Sequence, residues 1–252
     1  MSDEVLLDRR DGVLIITINR PEARNALNKA VADGVAAAAD ELDSDDDLRV
    51  GVLTGAGGTF SSGMDLKAFM RGETPSIPGR GLCGITETPP RKPLIGAVEG
   101  WALAGGFELL LACDLIVAAE DSRFGVPEVK RSLVAAGGAA LALPRRIPQS
   151  IALELLLTGD PIDAEQAHAA GLVTEVADDL DAAVAALADR IAQASPLVVG
   201  IGKEAFYHQA AMSTRDAYAY TREVMADNAT RVDAQEGMDA FVGKRTPTWP
   251  GR

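Results

Sequence analysis

The segment at residues 100–108, with the sequence GWALAGGFE, constrains the fold more than any other part of this chain. It follows the apolar run at 94–98, which predicts a buried strand, and its glycine pair opens an apolar helix. Glycine lets the backbone turn sharply and lets a ligand approach it closely. The first amides of a helix have no partner inside that helix, so they can donate to a negatively charged oxygen. The segment therefore predicts a strand-to-helix junction suited to binding an anion.

One charged side chain, Glu108, lies in the first turn of this otherwise apolar helix. Acidic residues favour helix N-termini, so Glu108 either caps its own helix, pairs with an arginine or takes part in chemistry. A second single carboxylate, Glu128, follows Pro127 at the end of a short extended segment. It is either a functional acid or a surface acid beside Lys130.

Composition limits the class of protein. With 252 residues, 47% of them hydrophobic, the chain can form one large domain or one domain with an extension. A formal net charge of −13 argues against non-specific binding to nucleic acid or an anionic membrane, because both need basic patches. The two cysteines and two histidines form no metal-ligand motif, so we expect no metal site. No run reaches the roughly 18 apolar residues of a membrane span and no signal peptide is evident, which predicts a cytoplasmic protein.

Strands and helices alternate through the first half of the chain. Runs rich in β-branched residues predict strands at 13–19 and 48–54, with Asn25 or Asn28 capping the helix between them. Residues 55–60 predict a turn, because Phe60 stands where a dinucleotide fingerprint would have its third glycine. The start of a short helix follows. It either presents the amides of residues 63 and 64 or is an ordinary entry capped by Ser62 or Asp65.

The second half is increasingly helical. Glycine and proline at 71–81 predict a mobile loop, and residues 114–119 predict a strand. Gly137 and Gly138 open a helix that ends near residue 146. Helices are predicted at 151–157, 163–170, 180–194 and from Ser195 onward, with a short strand at 172–176.

Five segments, taken together and in order, resemble the crotonase superfamily of enoyl-CoA hydratases and isomerases over essentially the whole chain. They are NRPEARNAL at 19–27, FSSGMDLK at 60–67, GWALAGGFE at 100–108, FGVPE at 124–128 and the tail at 241–247. The resemblance implies an α/β fold, the crotonase (ClpP-like) spiral of ββα units, with a C-terminal helical trimerisation region. We assign residues 1–194 to the spiral core with the active site and 195–252 to the helical oligomerisation region, in a homotrimer or a hexamer made of two trimers.

The resemblance also implies a substrate class, acyl-CoA thioesters, in which coenzyme A enters with the substrate and no separate cofactor is needed. In the family, amides at the positions of Met64 and Gly105 form an oxyanion hole that stabilises an enolate. Glutamates at the positions of Glu108 and Glu128 hold a water over the double bond. One activates the water for attack at C3, and the other delivers a proton to C2. Many relatives with other chemistry lack one glutamate, so the presence of both favours adding or removing water.

Weaker correspondences concern binding of the CoA and acyl groups. The matching positions in the first half are Arg24, Ala26, Leu27, Gly63, Asp65, Leu66 and Lys67. Near the C-terminus, Phe241 and Lys244 match residues that reach the CoA of a neighbouring subunit. Lys244 would supply a cation for a phosphate, which so acidic a chain needs locally.

These features give one main function and two alternatives. The main one is an enoyl-CoA hydratase that adds water syn across a trans-2-enoyl-CoA. The first alternative is dehydration of a hydroxyacyl-CoA such as carnitinyl-CoA, or double-bond isomerisation. Segments 63–68 and 244–252 resemble the carnitinyl-CoA dehydratase branch. A non-catalytic acyl-CoA-binding protein is the second, and the two retained glutamates argue against it. Residues 135–139 lack the proline that relatives usually carry there, which implies an altered pocket near Glu128.

Overall fold

The structure, a computed structural model, describes residues 3–251, so residues 1, 2 and 252 of the two assigned regions lie outside the described residues. Eleven strands lie within this range: β1 Val5–Arg10, β2 Val13–Ile18, β3 Val50–Gly55, β4 Ser76–Ile77, β5 Gly81–Leu82, β6 Leu94–Val98, β7 Trp101–Leu103, β8 Leu115–Ala119, β9 Arg123–Gly125, β10 Ile162–Asp163 and β11 Glu175–Ala177. The same range contains ten α-helices: α1 Lys29–Ser44, α2 Leu66–Met70, α3 Gly105–Leu110, α4 Ala139–Arg146, α5 Gln149–Thr158, α6 Ala164–Ala169, α7 Leu180–Ala192, α8 Pro196–Gln209, α9 Thr214–Asn228 and α10 Val232–Gly243.

Two sheets are built from alternating strands of the chain. The larger has the order β1-β2-β3-β6-β8-β11, in which β1 and β2 are antiparallel and the other pairs are parallel. The smaller has the order β10-β9-β7, and β4 and β5 form a separate hairpin. The chain passes from β6 to β7 and then into α3, and from β8 to β9 and on towards α4. This alternation is the ββα repeat, so the predicted α/β spiral fold is confirmed, while trimer formation and the boundary at residue 194 stay predictions.

The larger sheet is covered on both faces because its strands alternate between two apolar sets. In β2, Leu14, Ile16 and Ile18 join the main core with α1 and α3, whereas Val13 and Ile15 pack on the opposite side with α7. Such burial on both faces suits a mainly parallel sheet. Asn28 caps α1 by accepting a hydrogen bond from Val31 N at 2.9 Å, as one of the two predicted caps.

The other predicted cap, Asn25, has a different role. It is fully buried and has a φ of 54°, in the left-handed region. Its amide donates to Ala56 O at 2.8 Å and Thr59 O at 2.7 Å, and its Oδ1 accepts from Arg20 N at 2.8 Å. These hydrogen bonds from Asn25 connect the loop before α1 to the turn at 55–60. The predicted turn is thereby confirmed.

Short or exposed elements account for the differences from the sequence predictions. β1 was not predicted, because it is an edge strand with mostly exposed residues and a weak apolar pattern. β7 has three residues, and the last short strand lies at Glu175–Ala177 rather than 172–176. Residues 71–81 contain β4 and the start of β5, and their mobility stays a prediction. In the described part of the chain no single helix has the length and apolar character of a membrane span, and α7 with α8 reaches it only as a pair bent by 100°.

Asp114 joins α8 to the central sheet through a mostly buried ion pair. Its Oδ2 lies 2.6 Å from Lys203 Nζ and accepts from Leu94 N at 2.8 Å, while Oδ1 accepts from Tyr207 at 3.0 Å. Burial and then the charge of Asp114 raise the pKa of Tyr207 to about 12, so its hydroxyl stays a donor.

Replacement of Asp114 with alanine is expected to lower the free energy of unfolding by up to about 3 kcal/mol, because it leaves the largely desolvated Lys203 cation without a carboxylate, with Lys92 O at 3.0 Å as its remaining acceptor. Asp33→Ala is the matched control. It breaks an exposed ion pair with Lys29, with side chains 55% and 61% exposed, and should cost less than about 1 kcal/mol. Urea unfolding of both variants measures the difference. Equal losses would show that Asp114 does not hold α8 to the sheet.

Candidate active site

The junction between β7 and α3 has an unusual backbone conformation at Ala104. Its φ of 51° and ψ of −132° lie in a region that residues with a side chain rarely adopt. Ala104 N donates to Gly125 O at 2.9 Å, and Ala104 O accepts from Glu108 N at 2.9 Å. These bonds hold the turn so that Gly105 begins the helix with an amide that has no acceptor within it.

The Met64 amide lies next to this helix start. Leu27 N donates to Gly63 O at 2.8 Å and Asp65 N donates to Leu27 O at 2.9 Å, which leaves the Met64 N–H between them unused. A Cβ built on Gly105 would lie 3.5 Å from Met64 N. Within residues 3–251, neither the Met64 nor the Gly105 amide has a protein acceptor. The structure thus brings together the two amides that the sequence analysis paired.

Glu108 is buried, with 5% of its surface exposed, and its carboxylate meets the start of α4. Its Oε1 accepts from Ala139 N at 3.1 Å. A Cβ on Gly137 would lie 2.5 Å from Oε2, so a larger residue there would displace the carboxylate. Burial raises the pKa of Glu108 above its ordinary value of 4.5, and the amides of Ala139, Gly137 and Gly138 oppose that rise. In the described chain Glu108 neither caps α3 nor pairs with an arginine, so both of those interpretations are wrong.

Glu128 lies on a 3-10 turn, Pro127–Arg131, rather than at the end of an extended segment. The extended segment is confirmed as β9, Arg123–Gly125, but it ends before Glu128 because Pro127, with its fixed φ, occupies the first position of the turn. The surface interpretation was wrong. Lys130 pairs with Asp160 at 2.5 Å, while Glu128 Oε2 is buried and has no hydrogen-bond partner among the described residues.

The charge state of Glu128 is coupled to that of Glu108. Burial raises the pKa of Glu128 above 4.5, and the negative charge of Glu108 raises it further. The Glu128 backbone amide and Arg131 act in the opposite direction. Two desolvated carboxyl groups, one of which has its pKa raised further by the charge of the other, can hold one proton between them, which suits a pair of acid and base.

Of the helix-entry residues, Asp65 has a structural role. It caps α2 by accepting from Lys67 N and Ala68 N, each at 3.0 Å, and it lies 3.1 Å from Arg20. The Ala68 amide lowers the pKa of Asp65, with Arg20 acting in the same direction. The ordinary helix-entry interpretation is therefore confirmed for Asp65 and not for Ser62. The side chains of Leu66 and Lys67 are exposed on α2.

The loop before α1 lies beside this entry. Leu27 is fully buried and pairs with Met64, while Ser62 N donates to Arg24 O at 3.0 Å. Ala26 O accepts from Arg20 Nη1 at 2.5 Å. The predicted binding residues of the first half of the chain thus form one continuous region around the two amides. Their contacts with CoA stay predictions.

Phe241 and Lys244 lie at the end of α10. Phe241 is 86% exposed, and Lys244, with a φ of 50°, ends the helix in the left-handed conformation. In the described chain, no hydrogen bond or ion pair links either residue to residues 24–27 or 63–67. Their predicted contact with the CoA of a neighbouring subunit is not tested within one chain.

Several site residues were missed in the sequence. Ser61 is fully buried between the segments carrying the two amides. Leu82 fills the space between them and α4, since Cβ atoms built on Gly105 and Gly137 would lie 3.5 and 3.4 Å from its Cδ2. The glycine pair at 137–138 was recognised as a helix start, but not as the partner of Glu108. The altered segment at 135–139 thus contacts Glu108 directly, whereas its sequence predicted an altered pocket near Glu128. Among residues 3–251, no group of three or more His, Cys, Asp or Glu side chains can hold a metal ion.

Comparison with known proteins relates this site to one family. The sequence pattern of the enoyl-CoA hydratase/isomerase family matches residues 8–252. Enoyl-CoA hydratase EchA19 of Mycobacterium tuberculosis is 39% identical over 99% of this chain and 97% of its own. Carnitinyl-CoA dehydratase of Salmonella typhi is 38% identical over 100% of both chains. The crystal structure of enoyl-CoA hydratase EchA1 from Mycobacterium marinum has a TM-score of 0.96 and 54% identity, covering 100% of both chains. The chain belongs to the enoyl-CoA hydratase/isomerase family.

Proposed function

We propose that this protein is an enoyl-CoA hydratase that adds water syn across the double bond of a trans-2-enoyl-CoA. The observation that carries the proposal is the pairing of two carboxyl groups in different surroundings. Backbone amides surround the carboxylate of Glu108, whereas Glu128 Oε2 is buried without a partner among the described residues. Several amide donors favour an ionised carboxylate, as at Glu108, whereas burial opposed by only one amide and by Arg131 favours a protonated carboxyl group, as at Glu128.

This difference assigns the roles of the two acids. Glu108, ionised, takes a proton from water as the oxygen attacks C3 of the enoyl group. The electron pair of the double bond moves towards the thioester oxygen, which the Met64 and Gly105 amides hold as an enolate. Glu128, protonated, then delivers its proton to C2. The product has gained one H and one OH, and the proton moves from Glu108 back to Glu128 before the next turnover.

The proposal extends to the rest of the substrate and to the assembly. The CoA portion of the substrate would bind to the region formed by Arg24, Ala26, Leu27, Gly63 and residues 65–67. Coenzyme A enters as part of the substrate, so no separate cofactor is needed. In a trimer or a hexamer, Lys244 and the exposed Phe241 would contact the CoA bound to a neighbouring subunit. A cytoplasmic location fits a CoA-ester substrate.

Relatives named carnitinyl-CoA dehydratase, at 38% identity over the whole chain, support a second candidate. The same two acids can run the reaction backwards, with Glu108 returning a proton to a leaving hydroxyl. The second candidate is therefore dehydration of a hydroxyacyl-CoA such as carnitinyl-CoA. Isomerisation of the double bond would need a proton moved between carbons with no net gain of water.

A panel of acyl-CoA thioesters separates these functions. We expect crotonyl-CoA to lose its enoyl absorbance and gain the mass of one water. Carnitinyl-CoA that loses water faster than crotonyl-CoA gains it would establish the second candidate instead. Binding of every panel member without turnover would refute catalysis and revive the non-catalytic alternative.

The pH dependence of kcat/KM should be bell-shaped, with both limbs above pH 4.5. Activity falls at low pH as Glu108 becomes protonated, and it falls at high pH as Glu128 loses its proton. Both apparent pKa values should exceed 4.5 because burial raises the pKa of each group. Measurement of kcat/KM with crotonyl-CoA between about pH 4 and 10 tests this expectation. The range spans about six pH units, which is wide enough to separate the two limbs. A profile flat across that range would contradict the assignment of acid and base.

A further inference from the structure

Ser61 connects the two segments that carry the Met64 and Gly105 amides. Its side chain is fully buried. Ser61 N donates to Trp101 O at 2.9 Å, and Ser61 O accepts from Leu103 N at 2.9 Å. The backbone of Ser61 is therefore paired with β7 just before the chain turns into α3.

The Ser61 hydroxyl makes its hydrogen bonds to the segment that carries the Met64 amide and to the loop before α1. It donates to Asn25 O at 2.8 Å and accepts from Gly63 N at 3.2 Å. Gly63 has a φ of 95°, a conformation that favours glycine, and it directly precedes Met64. The backbone dihedral angles of Gly63 set the direction of the Met64 N–H, so the hydroxyl restrains the residue that aims this amide.

Ser61 also contacts the start of α3. A Cβ built on Gly106 would lie 2.6 Å from Ser61 Cβ and 2.7 Å from Ser61 Oγ, so no space separates the serine from the helix. A Cβ built on Gly63 would lie 3.1 Å from Gly105 N. Ser61 thus packs against Gly106, which follows Gly105, and its hydroxyl bonds to Gly63, which precedes Met64. It therefore contacts a residue adjacent to each of the two amides.

We propose that Ser61 is a positioning residue that sets the spacing and direction of the Met64 and Gly105 amides. The inference rests on the proposed function, since their spacing matters for catalysis only if both amides hold one oxygen. Loss of the hydroxyl in Ser61→Ala frees Gly63 and lets the Met64 amide move. We expect kcat to fall about 10- to 100-fold, with KM within about threefold, because donors to the oxygen count most when negative charge develops on it.

Ser122→Ala is the matched control. Ser122 is also fully buried, and its hydroxyl likewise donates to a backbone carbonyl, Val98 O, at 2.9 Å. Its hydroxyl makes no contact with Gly63. We expect kcat of this variant within about twofold of the wild type, since its hydroxyl bonds to Val98 O and not to a segment that carries the Met64 or Gly105 amide.

A spectroscopic measurement separates positioning from a merely structural role. The probe is 4-dimethylaminocinnamoyl-CoA, whose absorbance moves to longer wavelength when its thioester carbonyl is polarised. At saturating protein, the wild type and Ser122→Ala should give the full shift and Ser61→Ala less than half of it. A full shift in Ser61→Ala would overturn the inference, even if its kcat is lower. A wild type that binds the probe with no shift would instead refute the proposed oxyanion site itself.

A second variant covers the case in which Ser61→Ala does not fold. Ser61→Cys leaves no cavity, since sulfur is somewhat larger than oxygen, but its sulfur makes longer and weaker hydrogen bonds. Its shift and kcat should both fall below those of the wild type. Wild-type values of both in folded Ser61→Cys would overturn the positioning role.

Discussion

Glu108→Gln and Glu128→Gln are each expected to lower kcat by about 10²–10⁴-fold with crotonyl-CoA as substrate. Glutamine has nearly the same shape but can neither take a proton from water nor deliver one to C2. Burial raises the pKa of Glu128, so the folded protein loses stability as pH rises from the ordinary value of 4.5 through the folded pKa. Glu128→Gln, which does not ionise, should therefore be at least as stable as the wild type at neutral pH. Steady-state kinetics and thermal unfolding of the same samples measure both effects.

The control for these variants is Glu154→Gln on α5, where the glutamate is exposed to solvent. It removes an equal charge from a solvent-exposed side chain and should retain kcat within about twofold, as exposed substitutions usually do. Wild-type turnover in either Glu108→Gln or Glu128→Gln would eliminate the two-acid mechanism. Equal loss in the control would mean that the assay responds to net charge.

Gly105→Ala is expected to lower kcat by about 10²–10³-fold while the protein stays folded. The new Cβ would make only ordinary contacts, 3.5 Å from Leu82 Cδ2 and 3.5 Å from Met64 N. It would nevertheless occupy the space beside the Met64 amide, where a thioester oxygen has to approach within about 3 Å. Activity and stability should thus separate in this variant. Steady-state kinetics with crotonyl-CoA and urea unfolding measure the two quantities.

Gly202→Ala in α8 provides the matched substitution. A Cβ there meets no atom within 4 Å, so alanine should retain activity and raise helix stability by up to about 1 kcal/mol. If Gly105→Ala turns over like the wild type, the space in front of the Met64 amide is not the oxygen site. If it unfolds instead, the loss of activity reports packing, and the stability curve shows this directly.

Most of the architecture could be predicted from local sequence patterns. The β-branched and fully apolar runs that became β2, β3 and β6 are buried on both sides, so their composition is distinctive. β1 was missed because an edge strand that ends in three consecutive charged residues has no such pattern. The resemblance of five motifs to one family supplied the order of the ββα repeat, which no single segment determines.

The residues of the candidate site were predicted from the sequence, but the contacts that hold them in place were not. Glu108 was recognised as a charge in an apolar helix, yet its partners at Gly137 and Ala139 lie about thirty positions further along the chain and depend on the packing of α4 against α3. Single-sequence reasoning has no access to such contacts. Ser61 was missed for the same reason, because a serine in a polar segment gives no sign that it is fully buried.

Incubation of crotonyl-CoA in ¹⁸O-labelled water, followed by mass spectrometry, tests the central claim most directly. The wild type should yield a 3-hydroxyacyl thioester that carries the heavy oxygen. Glu108→Gln and Glu128→Gln should form it about 10²–10⁴-fold more slowly. Labelled product from either variant at the wild-type rate, or unchanged thioester with the wild type, would contradict the account.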